Sequence, residues 1–198
     1  VLLMHFDNDS SVGENSTYVY DWSGNGNYGT VINVSYNSTG GKYDGSFEFF
    51  REFDSAHPTN ESIEIADSDS LDLTTTGTVE FWLKLKPIKN GWYFILSKGD
   101  HYNEYSSYSI WLYISGDVWI KVYLGDGGTQ QSVSTTGTLN YNQWYHFAVT
   151  WNGSYIDLYL NGQFDSSHAQ TVIPFNSDRP LRIGKNTFEW AYFNGTID

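Results

Sequence analysis

Two carboxylates four residues apart, Glu48 and Glu52, have the spacing in this chain that could support catalysis. Side chains alternate between the faces of a strand, so residues i and i+4 share a face. Retaining glycoside hydrolysis uses such a pair, one as acid/base and one as nucleophile, flanking the scissile bond. Phe50, not a third polar group, stands between them. Glu61 and Glu64 are three apart and fall on opposite faces of an extended chain. His146 lies between aromatics with no nucleophile patterned beside it, and reads as a packed, hydrogen-bonded residue. Asp157 reads as a structural acceptor. The acidic stretch 67–72 lacks the Gly and the distal Glu of an EF-hand loop, so Asp and Ser there read as turn formers. No Gly-x-Ser-x-Gly elbow and no His-Glu-x-x-His zinc motif occurs. The expectation is a chain without catalytic residues.

Binding chemistry is better supplied. Sugars need flat apolar surfaces for their C–H groups with hydrogen-bonding groups alongside. The candidate ligand-binding residues are Trp111 and Trp119, with Tyr113 and Tyr123 on the same strand face, and the loop aromatics Trp92, Tyr102, Tyr105 and Trp190. The segments 100–105 and 186–192 are the expected contact loops, because binding residues concentrate on loops held by a rigid scaffold.

The elements that must position these residues centre on 143–163. Two apolar-aromatic runs flank Asn152-Gly153, whose dipeptide favours a type I′ turn with positive φ at both positions. Folding there sets Tyr145, Phe147 and Val149 opposite Leu160, Leu158 and Ile156 on an apolar face. His146 then faces Tyr159, Ala148 faces Asp157 and Thr150 faces Tyr155. A second hairpin spans 108–124 around Ser115-Gly116-Asp117, with Ile110, Leu112, Ile114, Val118, Ile120 and Val122 as its apolar set. Further strands are expected at 1–6, 18–20, 30–36, 46–53, 62–66, 77–86, 92–97, 131–139, 171–175, 181–184 and 192–198. That is about a dozen strands, no helix and one domain over 1–198.

Aromatic residues make up 18 % of the 198 residues, and the formal net charge is −13. Nucleic acid and anionic membrane surfaces repel such a charge, so neither is expected as a partner. Without Cys there is neither a disulfide nor a thiolate metal site. No apolar run approaches the roughly 20 residues of a membrane span, and no signal peptide is visible. Val1 already lies in a strand-like run, which reads as a processed or cropped start. Asn-x-Ser/Thr sequons stand at Asn8, Asn15, Asn33, Asn37, Asn60, Asn152 and Asn194, clustered in the first third as on a glycosylated extracellular surface.

Several motifs carry a resemblance. Trp144-Tyr-His-Phe-Ala-Val-Thr-Trp151 followed by Leu158-Tyr-Leu-Asn-Gly162 resembles the core of laminin-G-like jelly-roll domains, members of the concanavalin A-like lectin/glucanase superfamily. His5-Phe6-Asp7, Asp21-Trp-Ser-Gly-Asn-Gly-Asn-Tyr-Gly-Thr30, Asp67-Ser-Asp-Ser-Leu-Asp-Leu73, Val79-Glu-Phe-Trp-Leu83, Leu181-Arg-Ile-Gly184 and Phe193-Asn-Gly-Thr-Ile-Asp198 follow the family's order. The resemblance implies an all-β, antiparallel two-sheet jelly-roll sandwich. It implies a structural calcium ion held by Asp7 and Asp198 with a carbonyl near Gly45. It further implies that the last strand continues beyond Asp198 in a longer protein, and that an open sheet edge there invites strand addition by a neighbour. The glucanases of the group carry an Asp between their two Glu, where this chain has Phe50. The expected function is extracellular recognition or cell adhesion through a glycan or a cell-surface protein. The alternatives are a structural subunit of a glycosylated surface layer or filament that self-assembles through sheet edges, and a divergent glycoside hydrolase.

Overall fold

A computed structural model describes residues 1–50, 60–99, 106–186 and 191–198. In chain order its strands are β1 (Tyr18–Val19), β2 (Gly29–Ile32), β3 (Ser35–Asn37), β4 (Ser46–Phe49), β5 (Ser62–Ile65), β6 (Gly77–Leu85), β7 (Gly91–Lys98), β8 (Tyr108–Ser115), β9 (Asp117–Gly125), β10 (Gln130–Ser134), β11 (Trp144–Trp151), β12 (Tyr155–Leu160), β13 (Gln163–Ala169), β14 (Leu181–Ile183) and β15 (Gly195–Ile197). They form an eight-stranded sheet, β1-β2-β5-β14-β7-β8-β9-β10, and a seven-stranded sheet, β13-β12-β11-β6-β15-β4-β3. Every strand pairing is antiparallel. Apart from one 3-10 turn, Asp69–Leu71, no helix occurs among the described residues.

Period-two alternation decides what each strand buries. Ile110, Leu112, Ile114, Val118, Ile120 and Val122 face Phe47, Leu83, Phe147, Val149 and Leu158 across the sandwich, and all are buried. The β8–β9 hairpin has the expected register, with Ser115 opposite Asp117.

The central hairpin differs from its expected pairing by two residues. Phe147 faces Leu160, Ala148 faces Tyr159, Val149 faces Leu158, Thr150 faces Asp157 and Trp151 faces Ile156. Asp157 therefore lies across from Thr150, not Ala148. The reason is the turn. Asn152 lacks the positive φ of a type I′ position, and its carboxamide oxygen instead accepts from the Ser154 and Tyr155 N–H groups at 2.9 Å. Gly153, at φ +85°, supplies the left-handed residue. The Asn-Gly turn with positive φ at both residues is the next one, Asn161 (53°) and Gly162 (72°), joining β12 to β13. A shift of two leaves the apolar face intact, because the side-chain period is also two.

Other boundaries move for local reasons. The expected strand at 30–36 is two strands in different sheets, β2 and β3, separated by Asn33 at φ +58°. Residues 1–6 form no ladder strand. Leu3 N–H donates to the Asp21 carboxylate, while the Leu3 carbonyl accepts from Trp22. Residues 171–175 are irregular, and β13 carries the chain instead. Its polar sequence and exposed edge position hid it from hydrophobic patterning.

The acidic stretch 67–72 anchors a lysine. Lys98 is fully buried, and its ammonium donates to Asp67 at 2.5 Å, to the Ser177 carbonyl and to the Arg179 carbonyl at 2.8 Å, with Asp72 at 3.5 Å. Turn chemistry places these carboxylates, with Ser68 capping Ser70 N–H.

Candidate binding face and candidate metal centre

Cross-strand register defines the outer face of the eight-stranded sheet. One row reads Thr30, Glu64, Arg182, Ser97, Ser109, Tyr123 and Ser132, taking one residue each from β2, β5, β14, β7, β8, β9 and β10. The next row on β7 to β10 reads Phe94, Trp111, Lys121 and Ser134, and the one beyond it Trp92, Tyr113 and Trp119. A polar row thus adjoins two aromatic rows.

The aromatic rings form one contiguous group. Trp92 and Tyr113 lie 4.1 Å apart between centroids, Phe94 and Trp111 3.8 Å, Trp111 and Tyr123 5.0 Å, and Tyr113 and Trp119 5.7 Å with rings near parallel. The Lys121 ammonium stands 5.2 Å from the Trp92 ring and 5.5 Å from that of Tyr113. Trp111 is buried with Phe94 and Ala191, and its indole N–H donates to Ser109 Oγ at 2.8 Å, so it braces the flanking Trp92 and Tyr123 rings. Trp92, Tyr113, Trp119 and Tyr123 are half-buried and present edges and faces outward. Burial pushes the Tyr123 hydroxyl up from its ordinary pKa.

In the polar row, Glu64 receives Arg182 Nε at 3.2 Å and Lys185 Nζ at 3.0 Å. Burial alone would raise its pKa, but these two cations hold it below the ordinary value. Lys185 also donates to Asn60 at 2.5 Å. This cluster escaped the sequence reading because its members come from segments more than a hundred residues apart. Of the expected ligand-binding residues, Trp92, Trp111 and Trp119 come together on this face. Tyr102, Tyr105 and Trp190 lie outside the described residues.

The carboxylates considered for catalysis do not converge among the described residues. Glu48 is on the other sheet, bound by Asn37 at 2.5 Å and Lys86 at 2.9 Å, and Glu52 lies outside the described residues. Glu61 accepts from Phe50 N–H at 2.5 Å, and burial raises its pKa. His146 packs against Trp82 at 5.1 Å, with Glu80 at 3.6 Å.

Asp7, Gly45 and Asp198 meet at one end of the seven-stranded sheet. Asp7 Oδ1 accepts from Gly45 N–H at 3.4 Å, and its carbonyl accepts from Tyr36 Oη at 2.9 Å. Asp198 Oδ2 accepts from the N–H groups of Lys42 at 2.6 Å and Tyr43 at 2.9 Å. Burial raises the Asp198 pKa, and the charges of Asp7 and Asp44 add to it against the lowering by those two hydrogen bonds. A Cβ placed on Gly41 would collide with the carbonyl oxygens of Gly45 and Tyr43 and meet Asp198 Oδ2 at 2.9 Å. Oxygens therefore line a space that glycine leaves open. Phe6, Asn8 and Asp44 hold positive φ around it, at 62°, 58° and 45°, a conformation Asn and Asp adopt readily and Phe does not. Two carboxylates plus backbone carbonyls are a hard-oxygen donor set that fits calcium. No three His, Asp or Glu side chains gather closely enough to hold a metal by themselves among the described residues.

Two antiparallel sheets packed face to face, with an aromatic outer face and an oxygen-lined end, define a jelly-roll sandwich of the concanavalin A-like class. Residues 57–198 match the laminin G family of the concanavalin A-like lectin/glucanases superfamily, and the chain belongs to it. No curated protein matches the chain. Among solved structures, domain 4 of AbnA, a GH43 extracellular arabinanase from Geobacillus stearothermophilus seen in complex with arabinotriose, is similar. Its TM-score is 0.68 at 19 % identity, over 100 % of this chain and 89 % of that one. The binding domain of Paraclostridial Mosquitocidal Protein 1 is similar at TM-score 0.70 and 19 % identity, over 92 % of this chain and 45 % of that one. The binding domain of botulinum neurotoxin DC, solved with rat synaptotagmin II, gives 0.68 and 14 %, over 100 % and 47 %. The chain thus spans under half of those toxin domains.

Proposed function

We propose that this chain is a non-catalytic extracellular recognition module that binds carbohydrate on the outer face of its eight-stranded sheet. The observation that carries the reading is the pair of aromatic rows on β7 to β9 beside the Glu64–Arg182–Lys185 cluster: stacking surface next to fixed donors and acceptors. A cell-surface protein is the other partner such a face fits. Domains of similar fold have been solved with a sugar, arabinotriose, and with a protein, synaptotagmin II. An extracellular setting agrees with the exposure of sequon residues Asn8, Asn15, Asn33, Asn60 and Asn152. Asn37 and Asn194 are half-buried, with side chains donating to Glu48 and to the Pro87 carbonyl.

A glycan array probed with and without calcium tests the proposal. Binding to a defined sugar class that falls about fivefold in each of Trp92→Ala and Trp119→Ala is expected, since each ring contributes about 1 kcal/mol of stacking. Wild-type protein that is folded and binds no glycan sinks the lectin reading.

Calcium in this reading staples the chain ends by neutralising Asp7 and Asp198, with Tyr43 and Gly45 carbonyls completing the set. Calcium at a hundred times its Kd adds about 2.7 kcal/mol. The sign with pH follows from Asp198. Its folded pKa is raised, so in chelator its contribution is full at acid pH and is lost as pH rises through the folded value. Thermal melts in chelator and in calcium, from about pH 4 to 7, should diverge toward neutral pH. Asp198→Asn should abolish the divergence, and a calcium response that survives this change refutes the site.

A second reading, a subunit of a surface assembly joined through sheet edges, has its own observation. β6 is paired along its length with β11, but with β15 only at Leu83 to Leu85, plus the reciprocal Trp82–Asp198 bonds. Beside the Gly77–Phe81 stretch lies an apolar cavity of about 580 Å³, whose lining includes Leu73, Val79, Phe81 and Trp151. Either the continuation of β15 past Asp198 or a strand from a neighbouring subunit would pair there. Light scattering and electron microscopy that find only monomers at high concentration would remove this reading.

A further inference from the structure

A second group of rings lies at the opposite edge of the eight-stranded sheet. Val19 and Gly29 are buried, so their neighbours Tyr18, Tyr20 and Tyr28 turn outward, and the following turn carries Trp22. The centroids run Tyr18 to Tyr28 at 5.5 Å, Tyr28 to Tyr20 at 5.3 Å, Tyr20 to Trp22 at 5.3 Å and Trp22 to His5 at 5.3 Å. His5 and Trp22 are within 14° of parallel. Five rings thus form an unbroken chain, stepped rather than flat: the tyrosine pairs are tilted by 37° and 41° and Tyr20 meets Trp22 edge to face at 74°, while Trp22 and Tyr28 remain 39 % and 43 % exposed. Single exposed aromatics are ordinary on a surface, whereas a contiguous set marks a contact site.

The set is held rigid from behind. The buried Asp21 carboxylate accepts from the N–H groups of Leu3 at 3.1 Å, Ser23 at 2.9 Å and Asn27 at 2.9 Å. Asn27 Nδ2 ties the turn to the Val1 carbonyl at 2.9 Å and Ser70 Oγ at 2.8 Å. Gly24 and Gly26 adopt positive φ to close it. The hydroxyls of Tyr18, Tyr20 and Tyr28 and the Trp22 indole N–H have no hydrogen-bond partner among the described residues, and no Lys or Arg stands over these rings there. Flat apolar faces with free polar tips are what sugar rings require. The rings span several sugar units in different orientations, and the chain's net charge of −13 disfavours an acidic sugar.

We propose that Tyr18, Tyr20, Trp22 and Tyr28, with His5 at one end, form a second carbohydrate-binding platform that takes an uncharged, extended oligosaccharide. It is separate from the face formed by β7 to β9. The two sites are tested apart in a Trp92→Ala/Trp119→Ala background, where binding reports the platform alone. Cellohexaose, xylohexaose and arabinohexaose would be titrated by calorimetry, with hexagalacturonate as the charged control. At least one neutral hexamer should bind, and adding Trp22→Ala and Tyr28→Ala should weaken it about tenfold or more. Both residues are exposed, so the thermal midpoint should hold and serves as the check on folding. Neutral hexamers that fail to bind, bind equally well without Trp22 and Tyr28, or bind less tightly than hexagalacturonate would overturn the proposal. Loss of binding at Trp92 and Trp119 in the parent chain bears on the first site only.

Discussion

Replacing Lys98 by Ala should lower the stability of the folded chain by about 3–5 kcal/mol, the cost of breaking a buried ion pair by removing one partner. The ammonium joins three segments: the acidic turn through Asp67 and Asp72, strand β7 that carries it, and the 177–179 segment through two carbonyls. Removing it strands the buried Asp72 carboxylate and leaves the Ser177 and Arg179 carbonyls without their shared donor. Lys98→Met keeps the methylenes and drops the charge, so it should cost nearly as much. Lys98→Met combined with Asp72→Asn should recover part of the loss, because a neutral amide tolerates burial better than an uncompensated carboxylate. Urea unfolding measures all three. A cost below about 1 kcal/mol for Lys98→Ala would mean that solvent replaces these contacts freely and that Lys98 is no anchor. If Lys98→Ala does not fold, Asp67→Ala gives a milder reading, since Asp67 is a third exposed.

The second large effect is expected at Trp151, where Ala should also cost about 3–5 kcal/mol. The indole is 2 % exposed at the end of β11. It packs against Gly77, where a Cβ would strike the ring, and lies 5.8 Å from the Tyr108 ring. Its N–H donates to the Leu73 carbonyl at 3.0 Å. Gly77→Ala alone should destabilise by about 1–3 kcal/mol through overpacking. In the Trp151→Ala background the same change should cost far less, because the colliding ring is gone. Double-mutant analysis reads that coupling directly. Additive losses would show that Gly77 is constrained by backbone alone.

Trp151 also shows where sequence reasoning stops. Alternation around 144–160 correctly set the apolar face of the central hairpin, and it did the same for β8 and β9. The partner of Trp151 was a different matter. A turn centred on Asn152-Gly153 pairs it with Ser154, whereas the side chain of Asn152 caps the turn and moves the register by two, giving Trp151 to Ile156. Local patterns specify a face because the side-chain period is intrinsic to the strand. They specify register only as well as the turn is known. Asn33 splits a stretch that reads as one strand, and the polar β13 is held at its edge by β12, not by any pattern of its own.

The sites divide the same way. Trp92 read as a loop aromatic, and only the β7–β8 ladder sets it opposite Tyr113. Trp111 and Trp119 were legible as a pair, since they share a hairpin face. What each does was not: burial and the bond to Ser109 make Trp111 a support, a fact of packing. Family resemblance alone brought Asp7, Gly45 and Asp198 together, and the oxygen-lined space at Gly41 is visible only once 198 folds back on 41–45. The Glu64–Arg182–Lys185 cluster and the five-ring platform were invisible beforehand. By itself the sequence determined an antiparallel β chain, the core side of its main strands and the absence of thiol chemistry, because alternation, turn formers and composition are local properties. The tertiary structure decided register, sheet order and which distant residues share a surface, because those depend on contacts between segments that no local period encodes.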